Sequence, residues 1–376
     1  MNRANRELTI LFAPDSFKGS LTSVDVARAL AEGWSRARPS DRLELAPLAD
    51  GGEGTLEAIA AAGGWKWQTA EVADPLGRRI RARWLRSIDG AAAVLEMAEA
   101  SGLSRLHPNE RDAMNATSLG TGQLVCAAVA AGIRHMMLGI GGSATTDGGS
   151  GLVEALGARF SDDGDVDLSG LDRRLVSIAL EVASDVTNPL LGPEGAAAVY
   201  GPQKGATPDV VELLNQRLRE WAEAFERATG RGERDTPGAG AAGGVGFALL
   251  CLQDRFGSFG LRPGVDLVME ATGFDAKLAD ADLVITGEGR IDAQTAFGKT
   301  SLGVARRARE AGKPCIAVGG GVEPEGIEAL ALFGAVVVPV VERPQSIEEA
   351  MSAGSEPLVR CGARLAGLAS LTKSRD

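Results

Sequence analysis

Four times in this chain an apolar run suited to a buried strand ends in a turn built of glycines and carboxylates. The segments are ILFAPDSFKGS (10–20), LAPLADGGEG (45–54), MMLGIGGSATTDGG (136–149) and LVITGEGRIDAQTAFGKT (283–300). Glycine lets the backbone approach a ligand closely, and a helix start after the turn offers free N–H groups to an anion. Carboxylates in such turns can hold a metal or take a proton from a substrate. With Lys18, Arg290 and Lys299 among them, the turns predict an enzyme that handles phosphates or small acids.

The order of elements around these turns sets the architecture. Residues 7–74 read as strand, loop, helix, repeated once: LTILFA, a helix capped by Thr22 or Ser23, LELAPLA, then TLEAIAAAGG. From 281 the alternation returns, with strands DLVIT, PCIAVGG and AVVVPVV, helices SLGVARRAREAGK and IEALALFG, and a closing helix over 346–371. Alternation of this kind means right-handed βαβ units and a parallel sheet, here of five strands. Residues 75–280 read differently: WKWQTAEVAD, RRIRARWLRSI and AAAVLEMAE are successive strands of a mixed sheet, followed by helices and the strand HMMLGIGG. The expectation is therefore two α/β domains. One is a parallel-sheet domain made of 1–74 plus 281–376, and the other a mixed domain, 75–280, inserted into it. The active site is expected in the cleft between domains.

Composition removes several functions. At 376 residues two cores are expected, and fifty glycines with sixteen aromatic residues suit a turn-rich α/β enzyme. A net charge of −11 without a basic run argues against nucleic acid or an anionic membrane as partner. Four scattered cysteines without a C-x-x-C, no uninterrupted apolar stretch of membrane-spanning length and an N-terminus without a signal-peptide core predict a cytoplasmic location. Only His107 and His135 are available, which starves any histidine-based triad or metal site.

Two motifs look more familiar than their context allows. PGAGAAGG (237–244) contains G-x-G-x-x-G, but charged RGERDT precedes it where a dinucleotide site needs an apolar strand. Tight packing or an anion-cradling turn is the expectation instead. FGKT (297–300) resembles the end of a phosphate-binding P-loop, yet Ala293 stands where its first glycine belongs. SDDGDVDLSGLD is read as a solvated turn, since its glycine and closing glutamate do not match a calcium loop.

Taken together and in order, APDSFKGSL, ADGGEGT, GTGQLV, GIGGSATTDGG, DVTNPLLGPEGAAAVYGPQKGAT, PGAGAAGGVGFALL, LRPGVDLV and ITGEGRIDAQTAFGKT resemble the bacterial type I glycerate kinase family. The resemblance implies phosphorylation of D-glycerate by MgATP, usually to 2-phosphoglycerate. It also implies a flavodoxin-like domain interrupted by a second α/β domain. The alternatives are a glycerate 3-kinase, a kinase of a related hydroxy acid, or a non-catalytic small-acid-binding protein. A homodimer is left open.

Phosphoryl transfer needs positioned reactants, neutralised charge and somewhere for the hydroxyl proton to go. Without a histidine in any motif the base is expected to be a carboxylate, Asp292 first and Asp15 second. Lys18 and Arg290 are expected to clamp the substrate carboxylate, with Ser16 and Asp50 beside it. Gly141, Gly142, Ser143, Thr145 and Lys299 are expected to hold ATP phosphates, and Asp147 or Asp185 to bind Mg²⁺.

Overall fold

The structure, a computed structural model, describes residues 7–161, 163–297 and 299–371. The chain divides into two compact units: residues up to 50, 57–63 and from 265 onward form the first, and 51–56 with 64–264 the second.

The first unit holds a five-stranded sheet. Its strands lie side by side in the order Val336–Pro339, Cys315–Val322, Leu283–Ile291, Thr9–Phe12 and Arg42–Leu45, every pair parallel. Counted along the chain this is the 2-1-3-4-5 order of flavodoxin-like sheets, and the strand order reverses between Thr9–Phe12 and Leu283–Ile291. Both strands at that reversal are apolar and sealed, with Ile10, Leu11, Phe12, Val284 and Ile285 all at 0% exposure. That is what a parallel sheet covered on both faces requires.

Helices Ser23–Ala37 and Glu356–Leu371 cover the same sheet and pack on each other through glycines. A Cβ on Gly33 would lie 1.8 Å from Val359 O, and one on Gly362 would lie 2.1 Å from Leu30 O. The expected single closing helix is two, Ile347–Ser352 and Glu356–Leu371. Gly354, at φ +63°, breaks it, and Ser346 caps the shorter piece in a capping box with Glu349.

The second unit holds a six-stranded mixed sheet, ordered Ser258–Arg262, Ala179–Ala183, His135–Gly139, Ala92–Glu96, Arg79–Ser87 and Trp65–Ala73. Its first four strands are mutually parallel and the last two run antiparallel, as the alternating RRIRARWLRS pattern suggests. Ala179–Ala183 and Ser258–Arg262 are strands that sequence patterning did not assign. The second carries too few apolar residues to register, because it lies at the sheet edge and none of its residues is buried. Within the acidic segment after Phe160, Arg159–Phe160 pairs with Val166–Asp167 in a small surface hairpin; Asp162 lies outside the described residues. Among the described residues no helix is long and apolar enough to cross a membrane. All four cysteines are unpaired.

Gly33→Ala should destabilise the protein by about 1–3 kcal/mol, although alanine gains about 1 kcal/mol of helix propensity over glycine. Urea unfolding checks this, and an unchanged or raised midpoint would mean the two helices can separate without loss.

Candidate active site

In the first unit, the backbone just past Thr9–Phe12 continues pairing with its neighbour: Ala13 N donates to Ile285 O and Asp15 N to Gly287 O, both at 2.7 Å. This pins Asp15 at the carboxyl end of the strand, on the reversal of strand order, where open α/β sheets take their ligands. Asp15 is buried. Its Oδ2 accepts a hydrogen bond from Thr300 Oγ1 at 2.6 Å and its Oδ1 one from Ser16 N at 2.6 Å. Burial, then the nearby charge of Asp50, raises the Asp15 carboxyl to about 7, against lowering by Thr300, Ser16 and Lys18. Phe17 and Leu21 exchange backbone hydrogen bonds across a tight turn, with Gly19 at φ +78°, and this turn presents Lys18 to solvent. Lys18 Nζ lies 3.6 Å from Asp50 Oδ2, and the Asp50 charge raises the lysine further above its usual range.

The neighbouring strand ends in G-E-G-R-I-D. Glu288 is buried, and burial raises its carboxyl despite Lys299 Nζ at 3.2 Å from Oε2. Thr295 Oγ1 donates to Glu288 Oε1 at 3.3 Å. Lys299 is the N-cap and Thr300 the first residue of helix Thr300–Glu310, so one helix start meets both buried carboxyls, Lys299 at Glu288 and Thr300 at Asp15. Asp292, the first-choice base from sequence, is already committed. Its Oδ1 accepts from Gln294 N at 2.9 Å and meets Lys299 Nζ at 3.4 Å, while Oδ2 lies 3.4 Å from Arg290 Nε. Arg290 is exposed and also paired with Glu323. Lys299 therefore bridges Glu288 and Asp292. Gly298 of the FGKT segment lies outside the described residues.

In the second unit three glycine turns pack backbone on backbone. A Cβ on Gly139 would meet Gly51 O at 2.3 Å, and one on Gly141 would meet Gly52 Cα at 2.7 Å. Behind them, a Cβ on Gly243 would meet Thr145 O at 1.9 Å, and Gly244 abuts Gly148 Cα. Gly243 and Gly244 of PGAGAAGG thus pack under GGSATTDGG, while a Cβ on Gly238 would meet Leu261 and one on Gly240 would meet Pro189 O. These close approaches are a structural duty that accounts for the four glycines. Ser143, Thr145 and Thr146 turn inward and are buried, leaving Gly141 and Gly142 at the surface.

Asp147 departs from its expected role as a metal ligand. Its Oδ2 accepts from Ser118 N and Ser118 Oγ, each at 2.7 Å, and from Gly151 N at 3.3 Å; Oδ1 accepts from Gly149 N at 3.1 Å. Three donors crowd Oδ2 and one reaches Oδ1, so Asp147 holds the loop to the start of helix Leu119–Ala130. Asp185, half-buried, accepts from Gly264 N at 3.0 Å. Sequence reasoning passed over Lys204, which is 2% exposed and donates to Ser143 Oγ at 3.0 Å and Thr145 O at 2.5 Å. One signal could have found it: Lys204 has no acidic residue three or four positions away on either side. Both histidines sit at exposed positions outside these clusters. Among the described residues no group of three or more His, Cys, Asp or Glu gathers as a metal site.

A flavodoxin-like sheet with buried carboxyls at its switch point, and a mixed sheet carrying a braced glycine loop, define an α/β enzyme of small anionic substrates. The glycerate kinase family model matches residues 10–370. A glycerate kinase of Bacillus subtilis (strain 168) is 41% identical, over 98% of this chain and 99% of that one. A glycerate 2-kinase of Escherichia coli (strain K12) is also 41% identical, over 86% of this chain and 90% of its own. A solved structure from Salmonella typhimurium LT2, provisionally named glycerate kinase 2, superposes with a TM-score of 0.83 at 42% identity, covering 98% of this chain and 100% of that one. The chain belongs to the glycerate kinase family, and it is a kinase.

The raised Asp15 carboxyl has a stability consequence. In the unfolded chain it titrates near 3.8 and in the fold near 7, so the fold favours the protonated form. That contribution is fully present below the unfolded value and is lost as pH rises through about 7. Asp15→Asn should therefore gain in melting temperature relative to wild type between about pH 5 and about pH 8. A difference in melting temperature that is flat with pH would contradict the buried, neutral-favouring setting.

Proposed function

We propose that the chain transfers the γ-phosphoryl group of MgATP to the C2 hydroxyl of D-glycerate, giving 2-phosphoglycerate and ADP. The carrying observation is Asp15, a buried carboxyl at the switch point of the sheet, oriented by Thr300 and raised to about 7. A base is most effective when its affinity for protons lies near working pH, because it is then both deprotonated and able to accept. Asp15 is accordingly the base that takes the hydroxyl proton, in preference to Asp292. Asp292 positions Lys299 and Arg290.

In this reading the parallel-sheet unit, built from both chain ends, takes glycerate. Ser16 and Lys18 bind its carboxylate, Asp50 holds Lys18 in place, and Arg290 joins the clamp when it exchanges Glu323 for the substrate. Lys299 neutralises charge on the phosphoryl group in transfer. The mixed-sheet unit takes the nucleotide on the loop of Gly141, Gly142, Ser143 and Thr145. Magnesium accompanying ATP needs only one or two protein carboxylates, its other ligands being phosphate oxygens and water. Asp147 is tied by three donors on Oδ2 and one on Oδ1, which suits it to bracing the loop. Asp185, half-buried and bonded to Gly264 N, would hold the ion, which would supply neutralisation of phosphate charge.

³¹P NMR of the protein with MgATP and D-glycerate should show a 2-phosphoglycerate resonance. Asp15→Asn should slow its appearance about 10²- to 10⁴-fold, the usual contribution of a general base, and Asp292→Asn should cost less. A 3-phosphoglycerate product would overturn the position of transfer, equal losses in the two variants the choice of base, and absence of ATP consumption the whole assignment.

A further inference from the structure

A buried ammonium needs an anion, and Lys204 has none of its own. Its Nζ makes two hydrogen bonds, to Ser143 Oγ and Thr145 O, from three available donors, and no carboxylate pairs with it among the described residues. The nearest acting charge is Asp147, whose oxygens accept from Ser118, Gly149 and Gly151. On the other side of the Pro202–Lys204 turn, Arg111 donates to Gln203 O and brings no negative charge. Burial pushes the Lys204 ammonium down to about 7, with Asp147 acting in the opposite sense. A cation this buried and this poorly compensated is costly to keep, unlike one in a structural ion pair.

A second feature of the same loop points to a missing ligand. Thr146 Oγ1 is buried and has no hydrogen-bond partner. Ser143 Oγ accepts from Lys204, which leaves the Ser143 O–H to donate elsewhere. A donor polarised by a neighbouring cation is a stronger donor, since hydrogen bonds in a chain reinforce one another in a low-dielectric setting.

We propose that Lys204 is the buried counter-charge of the nucleotide phosphates, a positioning residue that acts through Ser143 and Thr145 and takes up a proton when the nucleotide binds. The proposal rests on the reading that the loop 141–145 receives ATP. Lys204, at 2% exposure, lies beneath Ser143, at 8%; the Ser143 hydroxyl meets the phosphates, and Lys204 orients and polarises it. The arriving negative charge lets the lysine keep its proton, so nucleotide affinity falls as pH rises through about 7.

Calorimetry on the full chain tests this, titrating MgATP and, separately, D-glycerate in two buffers of different ionisation enthalpy. The pH should be about 8, above the second ionisation of a phosphate monoester. Wild type should take up a fraction of a proton with MgATP. Lys204→Met should weaken MgATP roughly 10- to 100-fold, the span of a charge-assisted hydrogen bond, abolish the uptake and leave glycerate affinity unchanged. Ser143→Ala should weaken MgATP about tenfold and reduce the uptake, which decides the matter if the lysine variant does not fold. No proton uptake by wild type, or uptake that persists in Lys204→Met, would overturn the proposal. A loss confined to glycerate affinity would overturn the assignment of the loop to the nucleotide, and the proposal with it.

Discussion

Backbone packed directly on backbone is the constraint from which the rest of this molecule follows. In the first unit Gly33 and Gly362 bring two helices to a separation that no Cβ would permit. In the second, Gly51, Gly139, Gly141, Gly243 and Gly244 lock three turns together in the same way. Each glycine costs conformational entropy on folding, roughly 0.5–1 kcal/mol relative to alanine inside an element. What the molecule gains is loops held as rigidly as strands, which is what a site with tight geometric demands needs.

Rigid loops then decide where charge is buried. Once GGSATTDGG is clamped between glycine layers, its hydroxyls face inward and a lysine has to enter from beneath to satisfy Thr145 O. The mirror case lies in the first unit, where the start of helix Thr300–Glu310 meets two buried carboxyls, Asp15 and Glu288. One unit holds two buried carboxyls, the other a buried lysine with no carboxylate paired to it among the described residues. Burying such groups costs stability. A site of this kind is expected to trade stability for function.

Much of this architecture is legible in the amino-acid sequence. The βα alternation at both chain ends leads to a five-stranded parallel sheet, and the alternating arginines of RRIRARWLRS to an antiparallel segment, because strand periodicity is a local property of the chain. The same logic places Asp15 just past a strand end, whereas Glu288, expected past the end of DLVIT, lies inside a strand that runs on to Ile291. The proposed function prefers Asp15 to Asp292 as base because their partners differ. Asp292 is tied to Gln294, Lys299 and Arg290, neighbours within seven positions whose side chains the backbone turns onto one carboxylate. Asp147 has the residue type of a magnesium ligand, yet Ser118, 29 positions away, donates twice to its Oδ2. Edge strand Ser258–Arg262 leaves no periodic trace, since an edge needs little apolar surface.

Sequence alone determined the fold class and the family, because these depend on local periodicity and on motifs whose order is linear. Only the tertiary structure decided which titratable groups are buried and what each of them meets. Thr300 reaches Asp15 across 285 positions and Lys204 reaches Ser143 across 61. Protonation is set by burial and by neighbours in space, and neither quantity exists until the chain has folded.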